Sequence, residues 1–292
     1  MLQTDKSPKE ILAEKIESWL MDFYRIEEYG LVGHLKRKIE ANLSFLVNQE
    51  ERQGHIIFVL EKFLKQLAGK KVLNVGCGSG GLEVALLRKG AEPVGLDIDP
   101  GSIEIADLRN SICADNRVEY IVGDGNLLPF REGCFDLVLS IGLLEHIEIE
   151  RHDKVLRESM RVLKPGGVMF IICSPNKWFP YDMHFELPFV NWLPRYLKYW
   201  YVRIFRPYFT YRLATTDNVS AREIRKAINY DIDWIKSVWV DVMEFNLKQK
   251  SYREKPPTVR LLHNINRVSE KLHLNSFLLT VAKILSRANS GL

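Results

Sequence analysis

A strand-like run, Val72-Leu73-Asn74-Val75, passes without a break into Gly76-Cys77-Gly78-Ser79-Gly80-Gly81 and then into an apolar helical pattern. Glycines at this density let a backbone adopt angles closed to other residues and come close to a ligand. A helix that starts directly behind them presents unpaired N–H groups. Gly76, Gly78 and Gly81 satisfy the G-x-G-x-x-G spacing. Asp97 follows Gly76 by 21 residues, at the end of the next apolar run. A carboxylate there can accept both hydroxyls of a ribose. Loop plus acid point to a nucleotide-like cofactor, and do not by themselves separate NAD from S-adenosylmethionine.

The surrounding pattern fixes the fold class. Strand candidates fall at 71–76, 93–97, 117–122, 135–140 and 168–173, with helical patterns at about 80–89, 100–112 and 151–163 between them. That alternation predicts βαβ units and a doubly wound, mostly parallel α/β sheet with helices on both faces. Residues 1–69 read as a helical cap. Ser7-Pro8-Lys9-Glu10 has the form of a capping box with proline at the first helical position. Further helices are expected at 34–48 and 54–68. The cofactor-binding core is assigned to 70–176, an aromatic and basic insertion to 177–218, and completion of the sheet to 219–292. Within that last part a strand is expected near 235–243 and helices near 219–228 and 258–272. The apolar segment 276–285 suits strand or helix by periodicity alone.

With 292 residues and 46% hydrophobic composition, the chain can bury a large α/β core. No apolar run approaches the ~18 residues a spanning helix needs. The charged start shows no secretory h-region, so a cytoplasmic protein is expected. The four cysteines form no CxxC or Cys/His cluster, and the seven histidines show no HExxH spacing. Charge is unevenly placed. Residues 177–292 carry 19 Lys/Arg against 10 Asp/Glu, whereas residues 1–176 have a net charge of −5. A basic C-terminal part hints at a partner or substrate surface.

Two later blocks narrow the cofactor. Gly123-Asp124-Gly125-Asn126 follows the third strand, and an acceptor there suits an adenine amino group. Phe135-Asp136-Leu137-Val138 then leads to Leu144-Glu145-His146 and to Arg161-Val162-Leu163-Lys164-Pro165-Gly166-Gly167. From Lys70 to Asn176 the chain resembles the class I S-adenosylmethionine-dependent methyltransferases, in the group that includes ubiquinone-type and small-molecule enzymes.

The resemblance implies a Rossmann-like sheet of seven strands whose last is antiparallel, making 235–243 and 276–285 the sixth and seventh. It also implies cofactor roles. Gly76, Cys77 and Gly78 would line the methionyl and ribose part. Asp97 would hold the ribose, with Ile98 against the adenine. Asp124 would take the adenine amino group, Gly125 would offer a backbone N–H, and Ser140 and Ile141 would approach the methionyl end. Asn74 stands where the family usually has an acid. It is open between a cofactor contact with reduced affinity and a structural hydrogen bond.

The expected reaction is methyl transfer to a small or lipid-like acceptor, with oxygen favoured; a cofactor-binding protein without turnover is the alternative. His146 and His184 are the candidate bases, and His146 also reads as a residue fixing its loop. A metal is not expected, because Ser140-Ile141-Gly142-Leu143-Leu144 lacks the acid that metal-using relatives carry. Residues 188–212 hold ten aromatics, five Lys/Arg and no acid. Three readings stay open: a lid on the acceptor pocket, a segment lying on a membrane surface, and a stacking surface for single-stranded nucleic acid. The absence of an NPPY-like tetrad after strand four disfavours the last.

Overall fold

The computed structural model describes residues 6–29, 33–114, 116–172, 181–182, 185, 187–207 and 283–285. Five helices come first: α1 (Pro8–Phe23), α2 (Ile26–Tyr29), α3 (Gly33–Val47), α4 (Gln49–Arg52) and α5 (Gly54–Leu64). The capping box predicted at the start of α1 is formed. Ser7 Oγ accepts from the Glu10 N–H, and Glu10 reaches back to the Ser7 N–H at 2.6 Å.

The sheet then alternates with helices: β1 (Lys71–Val75), α6 (Gly81–Leu87), β2 (Glu92–Asp97), α7 (Pro100–Cys113), β3 (Glu119–Val122), β4 (Phe135–Ile141), a 3-10 turn at Leu144–His146, α8 (Ile149–Val162) and β5 (Leu163–Ile172). A short hairpin, β6 (Tyr181–Asp182) and β7 (Leu187–Pro188), precedes a 3-10 turn at Val190–Trp192 and α9 (Arg195–Phe205). The last described strand is β8 (Lys283–Leu285).

The strand order is β3-β2-β1-β4-β5-β8. Pairing is parallel from β3 through β5, and β8 runs antiparallel against β5. This is the doubly wound, Rossmann-like architecture expected from the alternation. Its antiparallel strand lies within the expected 276–285. The expected strand at 235–243 and the helices near 219–228 and 258–272 lie outside the described residues.

β5 differs from expectation by starting at Leu163. Phe135 of β4 pairs with Leu163 and Leu137 pairs with Val168, so Lys164–Gly167 form an irregular excursion inside the paired strand. Gly166, at φ 76°, allows that turn without ending the pairing.

Side chains alternate across the sheet as strand geometry requires. Leu73, Val75, Val138, Met169 and Ile171 pack against Val155, Leu156 and Met160 of α8. Val72, Leu137, Leu139, Val168 and Phe170 pack against α5 and α6 on the other side. A third cluster joins Leu12, Ile16 and Leu20 of α1 to Leu35 and Ile39 of α3 and to Ile105 of α7. The N-terminal helices therefore share a core with a helix of the sheet layer. Between β1 and β4 the connections diverge, and the loops at that sheet edge form the crevice where such folds bind ligands.

Candidate functional site

The glycine loop takes its shape from three left-handed residues: Gly76 at φ 78°, Gly78 at φ 53° and Gly80 at φ 74°. L side chains are disfavoured at each. At Gly76 a Cβ would also stand 2.9 Å from Leu143 Cδ1, so the backbone there passes close against the wall of the cleft.

Asp97 is placed by the register of β2 on β1. Its Oδ2 accepts the Gly78 N–H at 2.8 Å, and its Oδ1 accepts the Asp99 N–H at 3.0 Å. Burial raises its pKa above the ordinary aspartate value, against the pull of these N–H donors. The carboxylate thus orients the loop and keeps acceptor capacity for a further donor.

Asp124 follows β3. Its Oδ1 accepts from the Asn126 N–H at 2.9 Å and from Asn126 Nδ2 at 2.7 Å, while its Oδ2 pairs with Arg151 at 2.6 Å. Burial acts to raise its pKa, but the Asn126 and Arg151 contacts outweigh it and hold the carboxyl below its ordinary value.

Gly76, Asp97, Ile98, Asp124 and Gly125 line one cleft at this sheet edge. The sequence reading named all five. Leu143, Ile147, Arg151 and Val155, from the turn after β4 and from α8, complete the lining. Apolar walls between two spaced carboxylates suit a nucleoside. One acid can take vicinal hydroxyls, the other an exocyclic amine, and a flat base can lie between them. An adenosine-bearing cofactor therefore fits the residues present.

The remaining candidates sit elsewhere. Asn74 is buried on the α6 face of β1, and its Nδ2 donates to Glu83 Oε1 at 2.6 Å. Cys77 is buried, and burial pushes its thiol well above its ordinary value, with Glu83 and Asp97 adding to the shift. A thiol so placed is not a nucleophile near neutral pH. Gly78 reaches the site through its hydrogen bond to Asp97. Ser140 is fully buried at the end of β4, with no hydrogen-bond partner for its Oγ among the described residues, and Ile141 is half-buried beside it. His146 is exposed at the end of its 3-10 turn, where its N–H donates to the Leu143 carbonyl at 2.8 Å. His184 lies outside the described residues.

Sequence reading missed Leu143, Ile147, Arg151, Val155 and Asn126. Asn126 had a local signal, because an Asx residue two positions after Asp124 commonly folds back on such a turn. Arg151 had none, since it reaches the site only through the packing of α8.

Residues 73–171 match the family described as "Methyltransferase domain". In that stretch the chain is similar to the class I S-adenosylmethionine-dependent methyltransferases, whose cofactor is S-adenosylmethionine. A demethylmenaquinone methyltransferase of Clavibacter sepedonicus is 38% identical over 37% of this chain and 42% of its own length. A ubiquinone biosynthesis O-methyltransferase of Xanthomonas oryzae pv. oryzae is 35% identical over 36% of this chain and 43% of its own. A longer match, to a demethylmenaquinone methyltransferase of Tropheryma whipplei, is 29% identical over 72% of this chain and 76% of the relative. The first two matches span about two fifths of those relatives' length.

Proposed function

We propose that this chain transfers the methyl group of S-adenosylmethionine to a small or lipid-like acceptor, with a quinone-type hydroxyl as the favoured class. The observation that carries the reading is the cleft in which Asp97 and Asp124 face apolar walls beside the glycine loop. The quinone methyltransferases among the relatives support a quinone-type acceptor, and the O-methyltransferase among them supports the hydroxyl.

The cofactor supplies an activated methyl on a sulfonium, so the protein's task is alignment and exclusion of water. Asp97 would take the ribose hydroxyls while keeping the Gly78 N–H in place. Asp124 would take the adenine amine, with Ile98 against the ring and Gly125 adding its backbone N–H. Gly76, Cys77, Gly78, Asn74, Ser140 and Ile141 would frame the methionyl side. For a hydroxyl acceptor a base within reach of the leaving proton speeds transfer. His146 and His184 are the proposed residues for that task.

Contact with a membrane surface belongs to the same reading. Tyr196, Trp200 and Ile204 of α9 recur every four residues and are 67%, 57% and 68% exposed. Residues 187–207 carry four Lys/Arg and no acid. Interfacial helices combine such aromatic and basic side chains. Among the described residues no helix is long and apolar enough to cross a membrane.

The test is transfer of labelled methyl from S-adenosylmethionine to prenylated hydroquinones, presented in anionic vesicles or dispersed in detergent. A labelled methyl ether is the expected product, and Trp200→Glu should lower transfer from vesicles more than from detergent. Binding of S-adenosylhomocysteine without transfer to any hydroxyl acceptor would contradict the acceptor class.

A further inference from the structure

Two neighbouring residues of the N-terminal helices, Gln49 and Glu50, both act on Ser79 in the middle of the glycine loop. Gln49 Oε1 accepts the Ser79 hydroxyl at 2.7 Å and the Gly81 N–H at 3.2 Å. Gly80 precedes α6 with no side chain to satisfy the first N–H groups, so the acceptor comes from α4, thirty residues upstream. The contact is close. A Cβ at Gly81 would stand 2.6 Å from Gln49 Cβ.

Glu50 acts through Arg109, which is fully buried. Arg109 Nε donates to the Ser79 carbonyl at 2.8 Å, and its terminal nitrogens donate to Glu50 Oε2 and to the carbonyls of Leu46 and Val47 at the end of α3. Ser79 is therefore gripped at its hydroxyl and at its carbonyl. A second link runs from α1, where Trp19 Nε1 donates to Asp99 Oδ2 at 2.9 Å, and the Asp99 N–H donates to Asp97.

We propose that the N-terminal helices, through Gln49 and the Arg109–Glu50 pair, position the cofactor loop and so set cofactor affinity. This rests on the S-adenosylmethionine reading of the cleft. Gln49 is a positioning residue, because it touches the loop and acts through it. The Gly78 N–H is already committed to Asp97. A displacement of Ser79 would move that N–H and the carboxylate it orients. Linkage then runs in both directions: a ligand that needs the ordered loop also stabilises the docked helices.

The test measures S-adenosylhomocysteine binding to the full chain and to Gln49→Ala, Gln49→Glu and Ser79→Ala, with hydrogen exchange of residues 46–53. Wild type should bind. Gln49→Ala should weaken binding about five- to tenfold, the loss expected for one or two neutral hydrogen bonds. Gln49→Glu keeps the acceptor and should recover most of the affinity, and Ser79→Ala should lie between. Saturating ligand should slow exchange at 46–53. In a turnover assay KM for S-adenosylmethionine should rise with kcat little changed. Wild-type affinity in Gln49→Ala, or ligand-independent exchange at 46–53, would overturn the coupling while leaving the cofactor reading intact. No binding by folded wild type would instead overturn the cofactor reading, and the coupling with it.

Discussion

Replacing Glu50 by alanine is expected to destabilise the folded chain by about 3–5 kcal/mol, the cost of stripping one partner from a buried ion pair. Arg109 and Glu50 are both inaccessible to water at their charged ends and meet at 2.5 Å. Without the carboxylate, the guanidinium would stay buried with only carbonyl acceptors. The double variant Glu50→Ala/Arg109→Met should recover part of the loss, because a buried pair replaced by apolar groups is often neutral. Recovery should be incomplete, since the carbonyls of Leu46, Val47 and Ser79 would lose their donor. Urea unfolding of the three proteins measures this. A single-variant loss below about 1 kcal/mol, the value of an exposed pair, would contradict the buried geometry.

Glu83→Gln should do the opposite, and only at the alkaline end. Glu83 is fully buried on α6, and Asn74 of β1 is the donor it faces. Burial raises its pKa from 4.5 to about 7, against the Asn74 hydrogen bond and with Asp97 adding to the rise. Below pH 4.5 the carboxyl is protonated in folded and unfolded chains alike. Between 4.5 and 7 the unfolded chain releases the proton first, so stability falls as pH rises through that window and levels off above it. Glutamine has nothing to ionise. The variant's stability relative to wild type should therefore rise by about 2 kcal/mol between pH 5 and pH 8. Denaturant unfolding at the two pH values reads the difference directly, and a pH-independent difference would contradict a buried, proton-holding Glu83.

The fold was legible where its cause is local. Short apolar runs placed β1 to β4 within two residues of their observed bounds, and the capping box placed the start of α1. The cleft was legible to the same depth, because glycine spacing and acids at strand ends are properties of short segments. Asp97 and Asp124 reach one edge simply because β2 and β3 run parallel to β1. What escaped has its cause elsewhere in the chain. Gln49 meets Ser79 across 30 residues, and Arg109 meets Glu50 across 59. Neither forms a motif with its partner. Arg109 within Pro100–Cys113 looks like any solvated helical arginine until α3 and α4 close over it. Asn74, left open by the sequence, has a partner in Glu83 that only the packing of α6 on β1 supplies. The excursion at Lys164–Gly167 escaped because Pro-Gly-Gly ordinarily ends a strand, whereas here Leu163 pairs before it and Val168 pairs after it.

Calorimetric titration of S-adenosylhomocysteine into wild type and Asp97→Ala, with NAD as control, tests the central claim most directly. Asp97 is the group that both orients the loop and faces the cleft. Loss of charge-assisted hydrogen bonds is worth about 1.5–3 kcal/mol, roughly a ten- to 150-fold weakening. Wild type should bind with micromolar affinity, Asp97→Ala should lose about that factor, and NAD should not bind. A folded wild-type chain that leaves S-adenosylhomocysteine unbound at about 1 mM, weaker than about −4 kcal/mol, would contradict the cofactor site.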